Sequence, residues 1–432
     1  MARTTKKYTG LGALASGVLS SCVLLAIPGM AAAEEPGASS GPPGETAPLP
    51  AAALVSPPPS STSAFDPKIN VGAWMRLGGR VENPTQVGRL NDGFMDTLYL
   101  VASIRGQFAP WLKWQASLGA QHYSPPGDVT LDAELVYPQV GLQDLIVKIE
   151  PTDLFNIWVG KMLLPLDRAN LSGPWFINYW LLRGIFPRSG ALVPAPYGIK
   201  SGPFGREQGV TVWGQVAGGR FKYYGGAYAL DNASQNAHPM YAGRLVVNLL
   251  DPEPGYFNQS AYHGERDILS FGVGGQYQKG ASVTVIPAAN PELEVGDLKV
   301  VAVDALLDKK LGSHVITAEA SAYFMDKFQP INRLYVVGLG YVSPSVGPGR
   351  LAPAVRAQLG TVPNVMSAEN PTGREIGLDR EFRQVDGYVQ YLIKSHQAKI
   401  IVGGFWTETR LRSSGEASVA KGIQFGLQLI AL

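Results

Sequence analysis

Residues 96–123 read DTLYLVASIRGQFAPWLKWQASLGAQHY, two alternating runs separated by Ala109-Pro110. In the first, Leu98, Leu100, Ala102, Ile104 and Phe108 alternate with Tyr99, Val101, Ser103, Arg105 and Gln107. In the second, Leu112, Trp114, Ala116, Leu118 and Ala120 alternate with Lys113, Gln115, Ser117, Gly119 and Gln121. Side chains of a strand point to opposite faces with period two, so each run has one apolar and one polar face. The short break makes the pair a hairpin. Strands of globular proteins usually run about 5–6 residues. These runs are nearer the ~9–11 residues with which a tilted strand crosses a bilayer. An aromatic residue near the turn suits a membrane interface.

The rest of the chain repeats the pattern. Val71, Ala73 and Met75 alternate with Gly72, Trp74 and Arg76. Hairpins are expected for Leu142–Glu150 with Phe155–Met162, for Gly209–Ala217 with Arg220–Ala229, and for Asp386–Ile393 with Lys399–Thr407. Further runs are Met240–Leu250, a run around Leu269–Gln278, Val300–Asp308, His314–Met325, Leu334–Val342 and Ile423–Leu429. Lys309-Lys310-Leu311-Gly312 reads as a short turn. The total is about fifteen runs, with one more between Val129 and Tyr137. Long Pro- and Gly-rich segments at 163–205, 251–266 and 343–381 read as loops. Short turns at one end and long loops at the other are the layout of a transmembrane antiparallel β-barrel. No window carries helical periodicity over any length.

The polar faces hold Arg105, Lys113, Arg220, Lys222, Arg244 and Glu319, groups that a packed dry core would reject. Apolar faces turned to lipid and polar faces turned to a wet lumen account for them. The sheet must then close, since hydrocarbon leaves no partner for an open edge. A soluble β-sandwich that binds carbohydrate is the reading in which these faces are reversed.

Composition agrees with a sheet protein: 16% charged residues, 51 glycines and 45% hydrophobic residues among 432. Residues 1–33 carry Arg3, Lys6 and Lys7 and no acid, so removing three from the formal charge of +2 leaves about −1. No basic excess points to nucleic acid. Residues 1–33 read as a secretory signal: a basic start, the apolar run Leu11–Ile27, then Ala31-Ala32-Ala33. The rival is a lipoprotein signal at Leu19-Ser20-Ser21-Cys22, the site of the single cysteine. Residues 34–66, rich in Pro and Ala, read as a disordered linker, and 67–432 as the barrel.

Loop 163–205 carries Arg168, Arg183, Arg188 and Lys200 against Asp167, a local surplus of +3. It also carries the aromatics Trp175, Phe176, Tyr179, Trp180, Phe186, Tyr197 and Phe204. Long loops in compact domains are usually functional or disordered, and so many rings argue against disorder. The functional reading folds this loop into the lumen, with its guanidinium groups at the narrow point, where rings of Arg or Lys lower the barrier to anions. The plainer reading is an external cap or an oligomer contact. The pore-lining candidates are therefore Arg105, Lys113, Arg168, Arg183, Arg188, Lys200, Arg220, Lys222 and Arg244. Lys161 follows Gly160 on an ambiguous face, and Asp304 and Glu319 are acids that offset the positive wall. The five histidines are scattered without metal-ligand spacing, and no catalytic elbow or phosphate loop is present. An enzyme and a bound cofactor are not expected.

Gln143-Asp144-Leu145-Ile146-Val147-Lys148, Val159-Gly160-Lys161-Met162 with Pro165, Arg206-Glu207-Gln208-Gly209-Val210 and Tyr224-Gly225-Gly226-Ala227-Tyr228 resemble, in order and spacing, the phosphate-selective porins of the O and P type. The resemblance spans about 68–432. It implies a 16-stranded barrel in the bacterial outer membrane, a homotrimer surrounded by lipid, passing small solutes or anions such as phosphate. Two features depart from that pattern. The chain ends Ile430-Ala431-Leu432 where such barrels end in an aromatic, and no ladder of lumen arginines aligns. The expected function is passive diffusion of small hydrophilic solutes or ions. The alternative is a non-conducting barrel acting as scaffold or adhesin through loops 251–266 and 343–381.

Overall fold

Alternation of this length, repeated strand after strand, leaves the backbone one way to satisfy its hydrogen bonds: sideways, into a ring. The computed structural model describes residues 68–83, 97–123, 139–180, 206–229, 238–286, 292–325, 333–362, 380–412 and 414–431. The strands are β1 (Lys68–Asn83), β2 (Thr97–Ala109), β3 (Leu112–Tyr123), β4 (Gln139–Ile149) and β5 (Asn156–Leu163). A five-residue helix, α1 (Arg168–Ser172), follows. Then come β6 (Arg206–Val216), β7 (Phe221–Ala229), β8 (Met240–Asn248), β9 (Ile268–Ile286), β10 (Glu292–Leu311), β11 (His314–Met325) and β12 (Arg333–Val342). The last four are β13 (Gly349–Val362), β14 (Arg380–Lys394), β15 (Ala398–Leu411) and β16 (Ala417–Ala431). Each strand pairs antiparallel with its sequence neighbours. The ring closes where β1 pairs on one side with β2 and on the other with β16, from Ala73 opposite Ala431 to Asn83 opposite Lys421. The fold is a closed antiparallel barrel of sixteen strands.

The faces sort as a bilayer requires. Leu118, Leu245 and Leu339 are 55%, 59% and 62% exposed on the outer face. Arg244 and Gln390, on the inner face, are 2% and 0% exposed. Ile104, Val147, Val210, Phe271, Val303, Ile316, Val355, Val389 and Val402 continue the apolar exterior. Ser117, Thr211, Asn248, Gln276, Thr317, Gln358, Gln384 and Gln424 continue the polar interior. On this face Thr317, Asn248 and Gln424 find hydrogen-bond partners, whereas Gln276 and Gln358 have none among the described residues.

Four details differ from the sequence expectation. The segment 343–381 contains a strand, β13. Pro353 hides it, because a missing N–H argues against strand; Pro353 pairs with Val389, just beyond the last β12 pair, Gly340 with Ala354, so no bond to β12 is lost. A two-residue bridge, Ser345–Val346, tightens the turn before it. Lys309, Lys310 and Leu311 belong to β10, leaving Gly312 and Ser313 as the turn. Segment 249–267 joins β8 to β9 at the same end as the short turns 110–111, 217–220 and 312–313, so it is not grouped with the long connections. Finally, β4 carries a bulge opposite Ser117 and Leu118, so that Gln143 and Asp144 are consecutive residues both buried on the inner face. The signal, the linker and the run Val129–Tyr137 lie outside the described residues.

Candidate functional site: the barrel lumen

An irregular segment can lie inside a barrel only if something accepts and donates to its backbone. Residues 164–180, which leave β5, meet this condition on the inner wall. Asp167 caps α1 by accepting from the Asn170 N–H at 3.1 Å, and Gly173, at φ +58°, ends it. Farther on, the carbonyls of Trp175, Ile177 and Asn178 accept from Gln428 (2.9 Å), Lys399 (2.8 Å) and Gln390 (2.9 Å). The Trp180 carbonyl accepts from Arg76, and the Tyr179 hydroxyl donates to the Val355 carbonyl at 3.3 Å. Trp180 rests on Gly78 and Gly426, where any side chain would strike its ring. The segment is thus stitched to β1 and to β13–β16.

The other anchor is electrostatic. The Arg168 guanidinium donates to Glu253 (2.9 Å from Nη2) and to the Gln259 carbonyl (2.7 Å), both in segment 249–267. Arg244 of β8 pairs bidentately with Asp304 of β10 at 2.6 and 2.9 Å, and Asp304 also accepts from the Arg168 backbone N–H at 3.3 Å. All four side chains are at most 2% exposed. A buried charge is tolerated when paired and hydrogen-bonded, so the two arginines and two acids neutralise one another. The Arg168 guanidinium holds the Glu253 carboxyl below the ordinary carboxylate range, against the upward push of burial.

Segment 249–267 is held again at its far end. His263 and His396 stack with ring centroids 4.2 Å apart. His396 Nε2–H donates to the Ala261 carbonyl at 2.8 Å, which leaves Nδ1 to accept from Lys399 at 3.4 Å. His263 bonds Asn178 and Ser395, each at 3.1 Å. Burial pushes His263 down to about 3, helped by Lys399 and Arg350, and burial with the neighbouring His263 and Lys399 pushes His396 well below its ordinary value.

What these two segments leave open is a cavity of about 430 Å³ beside the wall β1–β6. Its charged lining is Arg105, Lys148 and Arg206 with Asp144 and Glu150. Arg206 pairs with Asp144 at 2.6 Å, and Asp144 also accepts from Ser117. Glu150 accepts from Lys113 and from the Trp158 indole, each at 2.8 Å. Lys148 donates to Gln115 at 2.9 Å and sits 4.2 Å over Trp158. Arg105 lies 5.9 Å from the Trp74 ring centroid.

The candidate cations therefore separate. Arg105 and Lys113 face inward near the cavity; Arg168 and Arg244 are consumed in buried pairs. Lys222 is buried on the inner face beside the Tyr224 ring. Arg220 is not on the wall: it lies exposed in the turn before β7 and donates to the Leu249 carbonyl. Arg183, Arg188 and Lys200 lie outside the described residues. Lys161 shares the face of Val159, opposite the buried Trp158 and Met162. Sequence reasoning passed over Lys148, although it stands in the porin-like run and keeps inward parity after the bulge, and Arg206, which opens β6. Arg356, paired with Asp386 at 3.0 Å, was hidden in the unread β13.

The chain is similar to two solved outer-membrane barrels. Pseudomonas putida OprB matches at 11% identity over 84% of this chain and 94% of its own, with a TM-score of 0.58. A loop L8 deletion mutant of OmpT, an outer membrane protein of Vibrio cholerae, matches at 12% identity over 84% and 99%, with a TM-score of 0.51. No protein-family model and no curated protein matches the chain. At these identities the likeness is one of fold: the barrel is of the bacterial outer-membrane kind.

Proposed function

We propose that this chain is a passive porin of a bacterial outer membrane, admitting small hydrophilic solutes with a preference for anions. The observation that carries the reading is the sorting of the closed wall: apolar outside, polar inside, with a cavity along β1–β6 whose lining holds three cations against two carboxylates. Wall charge of that sign lowers the barrier to anions. The phosphate preference and the homotrimer implied by the porin O and P resemblance are proposals on the same footing; the inner arginines Arg168, Arg244 and Arg356 weigh against a phosphate ladder, since each is already paired with a carboxylate.

One observation favours a second reading. Segments 164–180 and 249–267 are both bonded inside the barrel, which suits a non-conducting scaffold. Planar-bilayer recording on the refolded full chain separates the two. Discrete current steps are expected, with a reversal potential in a salt gradient displaced toward anions. A barrel that inserts and never conducts ends the porin reading, and a clear cation preference ends the anion preference.

A further inference from the structure

The cavity has more structure than a hydrated passage needs. Two aromatic groups flank it along the wall: Trp74 of β1 with Trp175 and Phe176, and Trp158 of β5 with Tyr256 and Phe257. Between them, β2–β4 present the cations. Both carboxylates of the lining are already engaged, Asp144 by Arg206 and Ser117, Glu150 by Lys113 and Trp158. The donors are less fully engaged. Among the described residues neither Arg105 nor Lys148 forms an ion pair, and the Arg105 guanidinium makes no hydrogen bond; its contact is with the Trp74 ring. A site with two cations outside any ion pair, carboxylates already engaged and aromatic rings on both sides fits one ligand chemistry. The cations recognise a carboxylate by charge-assisted hydrogen bonds, and the rings take up a flat or cyclic apolar body. Inorganic phosphate gains nothing from the rings.

We propose that this cavity is a binding site for ring-bearing organic carboxylates, with Arg105 and Lys148 holding the carboxylate and Trp74, Trp158 and Tyr256 holding the ring. The proposal deepens the porin reading and rests on it for the meaning of the site as a stage in transport. At about 430 Å³ the cavity falls at the small end of pockets that enclose small molecules.

The test uses the full chain in detergent, with binding followed by tryptophan fluorescence and calorimetry, and the same protein in planar bilayers. Benzoate and cyclohexanecarboxylate are expected to bind at least ten-fold more tightly than acetate, benzamide, glucose or inorganic phosphate, and to block current at matching concentrations. Arg105→Gln and Lys148→Gln are each expected to weaken benzoate about ten-fold while leaving the fold intact, since neither side chain is in an ion pair. Trp158→Leu is expected to weaken benzoate by a larger factor than acetate. Phosphate or glucose binding as tightly as benzoate overturns the assignment, as does benzoate binding unaltered by both cation variants. Selective binding without any current retains the site and removes the porin reading; current without selective binding retains the porin and removes the site.

Discussion

Removing the Glu253 carboxylate is the sharpest perturbation of the lumen. Arg168 donates to it from a position 1% exposed, and the nearest other acid, Asp304, is 3.7 Å from Arg168 Nε and already holds Arg244. Glu253→Gln therefore leaves a buried guanidinium short of half its compensation. Breaking a buried ion pair on one side typically costs about 3–5 kcal/mol. The cost falls on the contact between segments 164–180 and 249–267, because both strand walls keep their ladders. At about 1.4 kcal/mol per factor of ten, the opening equilibrium of 249–267 rises by roughly two to three and a half powers of ten. Amide exchange read by mass spectrometry should show faster exchange at 253–263 with β-strand amides unaffected, and single-channel conductance should rise or flicker. The double variant Arg168→Met with Glu253→Leu removes both charges and should be less disturbed than the single one. A double variant that exchanges faster than Glu253→Gln, or a single variant indistinguishable from the parent, would refute the ion-pair account.

The histidine stack makes the same segment sensitive to acid. His263 is lowered to about 3 in the fold against about 6.5 in an unfolded chain, so between those values the unfolded segment binds more protons. Stability is complete above about 6.5 and declines as pH falls toward 3, by about 2–3 kcal/mol at pH 4.5 for this one group. The surrounding charges, Lys399 and Arg350, act in the same direction. Limited proteolysis within 249–267 at pH 7 and pH 4.5 checks this, and equal protection at both would contradict it. On the outer wall, Leu118→Arg places a charge against lipid at mid-strand. It should cost about 2–4 kcal/mol and lower the yield of heat-modifiable barrel in lipid refolding. An unchanged yield would mean that this face does not meet hydrocarbon.

The wall was legible because alternation is a local property. Leu100, Ile104 and Leu118 face out and Ser103, Arg105 and Gln115 face in because each is fixed by its parity within one strand. Sequence alone therefore determined a barrel with apolar exterior and most of its turns. It missed β13, since a proline at a ladder's end looks the same as one that breaks a strand. It placed Arg220 in β7, which begins one residue later, and it had no means of seeing the bulge that sets Gln143 and Asp144 on one face. What only the tertiary structure decided is which charges are available. Arg168 and Glu253 are 85 positions apart, and Arg244 and Asp304 are 60 apart. Their neutralisation arises from closure of the ring and from two segments folded within it, so no spacing along the chain encodes it. Among the described residues Arg105 and Lys148 stay out of ion pairs for the same reason: the free energy of a charge depends on what surrounds it in space.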